Sequence, residues 1–173
     1  LDALLVSLFK KSLKERNFDT ANKVYEQIPN ILKRKQEGTT ILHILAKNNQ
    51  ADAVKYVVNK IKPNKKPLNS IDKNNRTPLF VAVYHSALDV VETLINEGCD
   101  MDIQDKIGNT PLHAAIIMHN TKIATLLVKS NCSANIKNND GKTALDLANE
   151  TNESVAEIIK KRDNIEVSGV ELK

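Results

Sequence analysis

Gly108–Asn109–Thr110–Pro111–Leu112–His113–Ala114–Ala115 is the stretch that decides the fold. A threonine caps a helix by accepting from the backbone, and a proline after it is pre-set for the first helical turn, so Thr110–Pro111 reads as a helix start. Leu112, Ala115 and Ile116 then follow at helical spacing. The pattern recurs on both sides. Asn75–Arg76–Thr77–Pro78–Leu79–Phe80–Val81–Ala82 precedes it and Gly141–Lys142–Thr143–Ala144–Leu145–Asp146–Leu147–Ala148 follows it, so Thr77, Thr110 and Thr143 recur every 33 residues. A fourth copy, Gly38–Thr39–Thr40–Ile41–Leu42–His43–Ile44–Leu45–Ala46, lies 37 residues before Thr77. The extra residues fit the lysine- and proline-rich segment 61–68.

A second helix is expected in each copy, over 52–60, 88–96, 121–129 and 154–161, each with an aliphatic stripe such as Val90, Val91, Leu94 and Ile95. Gly98 stands just past one of these helices, where a left-handed cap belongs. The polar segments 102–109 and 135–142 read as hairpin loops. Helices over 1–16 and 19–28 form a degenerate capping unit. The division expected is a cap at 1–34, repeats at 35–71, 72–104, 105–137 and 138–161, and a disordered tail at 162–173. One such copy cannot hide its own apolar faces, so the copies must stack on one another in a single domain.

A 33-residue period built on Thr-Pro-Leu-His resembles the ankyrin repeat. The resemblance runs from about residue 35 to 161, with weaker cover back to the start. It implies an all-α ankyrin-repeat solenoid of stacked helix-turn-helix units with β-hairpin-like loops, a module that binds other proteins. It also implies that Thr40, His43, Thr77, Pro78, Thr110, Pro111, His113 and Thr143 are the structural repeat motif. The ring of His43 or His113 would then bond the hairpin backbone and tie neighbouring copies. Phe80 and Asp146 take the same slot in the other two.

Composition narrows the function classes. Hydrophobic residues make up 41% of the chain, yet there is no Trp and only three Phe and three Tyr, so the core must be built from Leu, Ile, Val and Ala. No run approaches the roughly 20 apolar residues of a membrane span. The start is amphipathic and interrupted by lysines, unlike a signal peptide, so a cytoplasmic or nuclear location without membrane contact is expected. The net charge of +4 is scattered and lacks interleaved aromatics, so direct nucleic-acid binding is not expected. Two cysteines, Cys99 and Cys132, are too few for a disulfide framework or a zinc cluster, and equivalent slots in adjacent copies are too far apart to bridge, so both should be free thiols. His85 and His119 have no partners at metal-ligand spacing, and the glycines are isolated rather than gathered in a phosphate loop. No catalytic residue, metal, cofactor or small-molecule substrate is expected.

In an ankyrin stack the hairpin tips and the solvent face of each first helix form the binding groove. The resemblance therefore points to Lys47 and Asn48, Tyr84 and His85, Ile117 and Met118, and Glu150 and Thr151 as groove positions, apolar in the middle and polar at the flanks. The tips add Lys73, Asn74, Arg76, Lys106, Asn109, Lys137, Asn139 and Lys142, a mildly basic surface suited to an acidic partner segment.

Leu68–Asn69 after the enlarged linker, Asn74–Asn75–Arg76–Thr77–Pro78–Leu79, Glu97–Gly98–Cys99–Asp100, and Asp105–Lys106–Ile107 leading into Gly108–His113 are similar to the inhibitor-of-κB and Rel-precursor branch. That branch implies masking of a Rel-type (NF-κB) transcription factor, with its nuclear-localisation segment covered and DNA binding blocked. Members of that branch usually have six or seven repeats where about five are visible here, and short viral mimics of the inhibitor, stripped of regulatory ends, share that smaller number. A generic ankyrin scaffold or adaptor, or the ankyrin part of a larger signalling protein or channel, fits the repeats equally. Leu127 and Ala134 before Asn135 also resemble the setting of the ankyrin-loop asparagine that an intracellular hydroxylase modifies, although Ser133 stands where an acid is usual.

Overall fold

The computed structural model describes residues 2–35, 38–62, 64 and 66–168. Among them are ten α-helices, in two compact units, Leu1–Cys99 and Asp100–Lys173.

In the first unit α1 (Asp2–Lys14) pairs with α2 (Phe18–Gln27), α3 (Ile41–Lys47) with α4 (Ala51–Ile61), and α5 (Pro78–Tyr84) with α6 (Leu88–Asn96). First helices α3 and α5 stack side by side, as do second helices α4 and α6. In the second unit α7 (Pro111–Ile117) pairs with α8 (Thr121–Lys129) and α9 (Ala144–Thr151) with α10 (Glu153–Ser168), and α7 stacks on α9 and α8 on α10.

Thr40, Thr77, Thr110 and Thr143 hold extended backbone directly before α3, α5, α7 and α9. Each short first helix therefore begins where the threonine spacing predicts. Thr77 Oγ1 accepts from the Phe80 N–H at 3.1 Å and Thr143 Oγ1 from the Asp146 N–H at 3.1 Å, which satisfies donors the helix leaves open. Four of the five first helices, α1, α3, α5 and α7, end in the same way, whereas Asn152 after α9 holds φ at −153°. Arg16, Asn49, Ser86 and His119 adopt left-handed backbone with φ between 51° and 57°. The following N–H groups of Asn17, Gln50, Ala87 and Asn120 reach back to the carbonyls of Ser12, Leu45, Ala82 and Ala115, closing a Schellman turn. Gly98 and Asn131 are left-handed after α6 and α8, as expected for Gly98.

The core is aliphatic. Leu79, Ala82, Val83, Val90 and Leu94 are fully buried in the first unit, and Leu112, Ile116, Ile123, Leu127 and Ile159 in the second. Such burial contributes about 25 cal/mol per Å² of apolar surface and holds together helices too short to be stable alone. The capping pair joins this core through Phe9 and Leu13, and the Phe18 ring stacks on Tyr56 of α4 at 5.1 Å between centroids. The Tyr56 hydroxyl donates to Asn22 Oδ1 at 2.8 Å.

Within the enlarged linker the segment Lys66–Asn69 forms a 3-10 turn, pinned by the fully buried Leu68. At the other end α10 runs on to Ser168, past the boundary at Lys161 expected from the pattern. Arg162 explains part of this: its guanidinium donates to the Cys132 carbonyl at 2.7 Å and pairs with Asp163 at 2.8 Å, capping the end of α8. Residues 169–173, the rest of the expected tail, lie outside the described residues.

Candidate functional site

Each hairpin tip is built on one acidic or amide side chain. Asp72, Asp105 and Asn138 share one slot, and the Oδ1 of each accepts two backbone N–H groups further along its tip. The backbone closes the same loop, with the N–H groups of Asp72, Asp105 and Asn138 donating to the carbonyls of Arg76, Asn109 and Lys142. Asn75, Gly108 and Gly141 supply the left-handed residue that the turn needs. Burial pushes the Asp72 carboxyl up, but hydrogen bonds from the Arg76 guanidinium and from the backbone N–H groups of Arg76 and Asn74 outweigh it and hold it below the usual carboxylate range. Within the second unit the tips interlock: Asn139 donates from its backbone to Ile107 O and from its side chain to Lys106 O, both at 3.1 Å.

His43 and His113 stitch first helices to these tips. In each ring Nδ1 accepts the backbone N–H of the capping threonine, Thr40 or Thr110, at 3.2 Å. The other nitrogen meets a carbonyl, which only accepts, so Nε2 carries the proton and donates to Arg76 O at 2.8 Å or Lys142 O at 3.1 Å. Burial lowers both imidazole pKa values and keeps the rings neutral, against a smaller opposing effect of those carbonyls. Both nitrogens are thus occupied, leaving no lone pair for a metal or a base. In the last repeat Asp146 does half of this work, with Oδ2 accepting from Thr143 N and Oγ1 at 2.8 Å.

The positions singled out as a groove lie at the ends of the first helices. In the first unit Lys47, Asn48, Tyr84 and His85 are exposed, with 46% of Tyr84 accessible and its ring edge-on to His85 at 5.4 Å. Burial, then the positive charges of Lys47 and Arg76, lower the pKa of His85, which favours its neutral ring. In the second unit Ile117 and Met118 are 48% and 44% exposed, so they do not fill the core of that unit, and Glu150 and Thr151 are exposed as well.

The family model for ankyrin repeats in sets of three copies matches residues 12–105 and 88–168. The chain belongs to the ankyrin-repeat family. A comparison with curated proteins returns no match.

Ankyrin repeats are generally protein-interaction modules, and several tip residues expected to face a partner are engaged within the protein instead. Asn109 is not presented to a partner: it is buried at 6% and its Oδ1 accepts from Asn138 Nδ2 at 2.9 Å, locking two successive ankyrin tips. Arg76 spends its charge on Asp72, through Nη2 at 2.8 Å and Nε at 2.9 Å. Lys142 is likewise paired with Glu150 at 2.8 Å, and its pKa is raised chiefly by that hydrogen bond. The basic tip surface is therefore thinner than its sequence suggests, with Lys73, Lys106, Lys137 and Asn139 exposed and Asn74 half-buried. Sequence reasoning missed Ile71 and Ile107, which are 42% and 61% exposed on the tips. An isoleucine inside an otherwise polar loop, next to the Asp72 or Asp105 anchor, was the available signal.

Cys99 and Cys132 are buried free thiols, and burial pushes the Cys132 thiol up to about 12. Asn135 is exposed on its loop, with its N–H donating to Ser133 Oγ at 3.4 Å. Among the described residues no group of three or more His, Cys, Asp or Glu is placed to hold a metal, and no helix is long and apolar enough to cross a membrane.

Proposed function

We propose that this chain is a protein-binding regulator of the inhibitor-of-κB kind, which grips a Rel-type transcription factor and masks it in the cytoplasm or nucleus. The observation that carries the binding reading is the exposure of Tyr84 in one unit and of Ile117 and Met118 in the other, at the same repeat slots, with polar Lys47, Asn48, His85 and Glu150 at the flanking ones. Large apolar side chains bordered by polar ones are how binding hot spots are built. The partner class rests on the Leu68–Asn69, Glu97–Gly98–Cys99–Asp100 and Asp105–His113 segments and on the linker between the first two repeats. Lys73, Arg76 and Lys106 on the tips complete the partner-binding set, with Arg76 acting through its pair with Asp72.

One observation favours a second reading. The net charge is +4, and exposed Lys47, Lys73 and Lys106 repel a basic localisation segment, which suits a general scaffold for a more acidic partner. Titration calorimetry with a purified Rel-homology dimer separates the two. Saturable binding supports the regulator, and no detectable heat at any Rel dimer leaves the scaffold.

A further inference from the structure

Asp140–Gly141 is the one place in the sequence where an aspartate or asparagine precedes glycine. It stands at the tip of the last hairpin, and both residues are exposed. The tips built on Asp72, Asp105 and Asn138 put different pairs in this slot: Asn74–Asn75, Ile107–Gly108 and Asp140–Gly141, with Asn75, Gly108 and Gly141 all left-handed. A carboxyl group is therefore set beside a glycine amide in the last of the three. Its surroundings differ as well. A β-carbon at Gly108 would press on Asn138 and Asn139 of the next tip, whereas one at Gly141 would meet nothing within 4 Å among the described residues. What holds Gly141 is its own turn. Its N–H donates to the Asn138 carbonyl at 2.9 Å, and Asn138 Oδ1 accepts from the N–H groups of Asp140 at 3.0 Å and Lys142 at 3.1 Å. Local bonds of this kind at an exposed loop tip open far more often than the packed helices.

We propose that Asp140–Gly141 is a site of covalent modification, at which the aspartate converts to isoaspartate in the folded protein. With the turn bond open, the Gly141 amide nitrogen attacks Cγ of the protonated Asp140 carboxyl. A C–N bond forms, the C–OH bond breaks, and the hydroxyl leaves with the amide proton as water. Glycine favours this attack because no side chain shields its nitrogen. Water then opens the cyclic imide. Addition at the Cγ carbonyl restores aspartate, and addition at the main-chain carbonyl leaves the chain running through Cγ and frees the α-carboxylate. Mass and charge end where they began, with no oxidant, reductant or metal consumed. The freed α-carboxylate is the group recognised by a methyltransferase that moves the sulfonium methyl of S-adenosylmethionine to a carboxylate oxygen, and that is the class of enzyme the modified tip would take as partner.

The isomer carries an extra methylene in the main chain between Asn138 and Lys142. The bonds that the Lys142 carbonyl accepts, from Asn138 N–H at 2.9 Å and from His113 Nε2 at 3.1 Å, depend on the original length. Isomerisation therefore loosens the last tip from α7, whatever partner the chain binds.

The full chain is held for weeks in warm buffer near neutral pH, alone and in urea, and then offered to an isoaspartyl methyltransferase with radiolabelled S-adenosylmethionine. Electron-transfer fragmentation of its peptides locates the isoaspartate. In the folded protein it should collect at residue 140, at a rate within several-fold of that in urea. Asn138→Ala, which removes the side-chain acceptor of the tip, should narrow that gap. The exposed Asp140→Glu keeps the charge but must close a larger ring, so it should melt like the parent and lose most of the label. The isomerised fraction, separated by native hydrophobic-interaction chromatography, should melt below the unmodified one. Label confined to the urea sample, or label that persists in Asp140→Glu, overturns the site. An isomerised fraction that melts like the parent overturns the loosening of the last tip.

Discussion

The His43 imidazole donates from Nε2 to the Arg76 carbonyl at 2.8 Å, so the first helix of one repeat holds the hairpin of the next through a neutral ring. His113 and Lys142 repeat the relationship at 3.1 Å. Neither ring can make both of its bonds once protonated, because Nδ1 must accept from threonine. In the unfolded chain both protonate near the ordinary value of about 6.5. In the folded chain they protonate at lower pH because burial disfavours the charge. The unfolded state therefore binds more protons on acidification, and the stability these rings contribute is complete above the ordinary imidazole value and lost as pH falls through the folded one. The melting temperature should drop between about pH 7.5 and about pH 5.5, a window set by that ordinary value. A His43→Gln/His113→Gln variant should be less stable at neutral pH and show a flatter profile. A parent profile that rises on acidification contradicts the tautomer assigned here.

Gly108 and Gly141 occupy the same left-handed slot, with φ of 79° and 74°, yet they differ in surroundings. A β-carbon at Gly108 would sit 2.7 Å from the Asn139 backbone nitrogen, whereas one at Gly141 meets nothing within 4 Å. Gly141→Ala should cost only the conformational term, about 1–2 kcal/mol. Gly108→Ala adds a clash with rigid backbone and should cost clearly more. Chemical denaturation of the two variants is the comparison, and equal losses would mean that the tips are not locked.

Cys99 and Cys132 should each react once and never with each other. Mass spectrometry of the unreduced protein should find two free thiols. Cys132, whose thiol is pushed up to about 12 and is 2% exposed, should alkylate at neutral pH only as the second unit opens. Fast labelling of Cys132 in the folded protein would contradict its burial.

The helix starts were legible because the signal is local and repeated: Thr77–Pro78 and Thr110–Pro111 cap a helix by their own chemistry, and the 33-residue period sets them in register. The second helices α6 and α8 were equally readable from their aliphatic stripes, and the end of α6 from Gly98. Charge partnerships at the tips were not. That Asp72 takes the charge of Arg76 and Glu150 that of Lys142 depends on the path of the chain within one repeat, and that Asn109 turns inward to Asn138 depends on how successive loops stack; periodicity alone leaves both open. The course of α10 past Lys161 hangs on Arg162 finding the carbonyls at the end of α8, a contact 30 residues distant in sequence. Left-handed His119 and Ser86 were also hidden, since the sequence uses side chains where glycine would be free of strain.

The most direct measurement is partner affinity beside thermal melting for two double variants, with a Rel-homology dimer as ligand. Tyr84→Ala/Met118→Ala truncates side chains that are 46% and 44% exposed, so melting should hardly change while binding weakens by about 1–2 kcal/mol for each residue. Leu79→Ala/Leu112→Ala removes fully buried core, at roughly 2–5 kcal/mol per site, and should unfold the repeats before it reports on binding. The account requires that opposition: full stability with lost affinity in the first variant, lost stability in the second. A folded Tyr84→Ala/Met118→Ala protein that binds as tightly as the parent would contradict it.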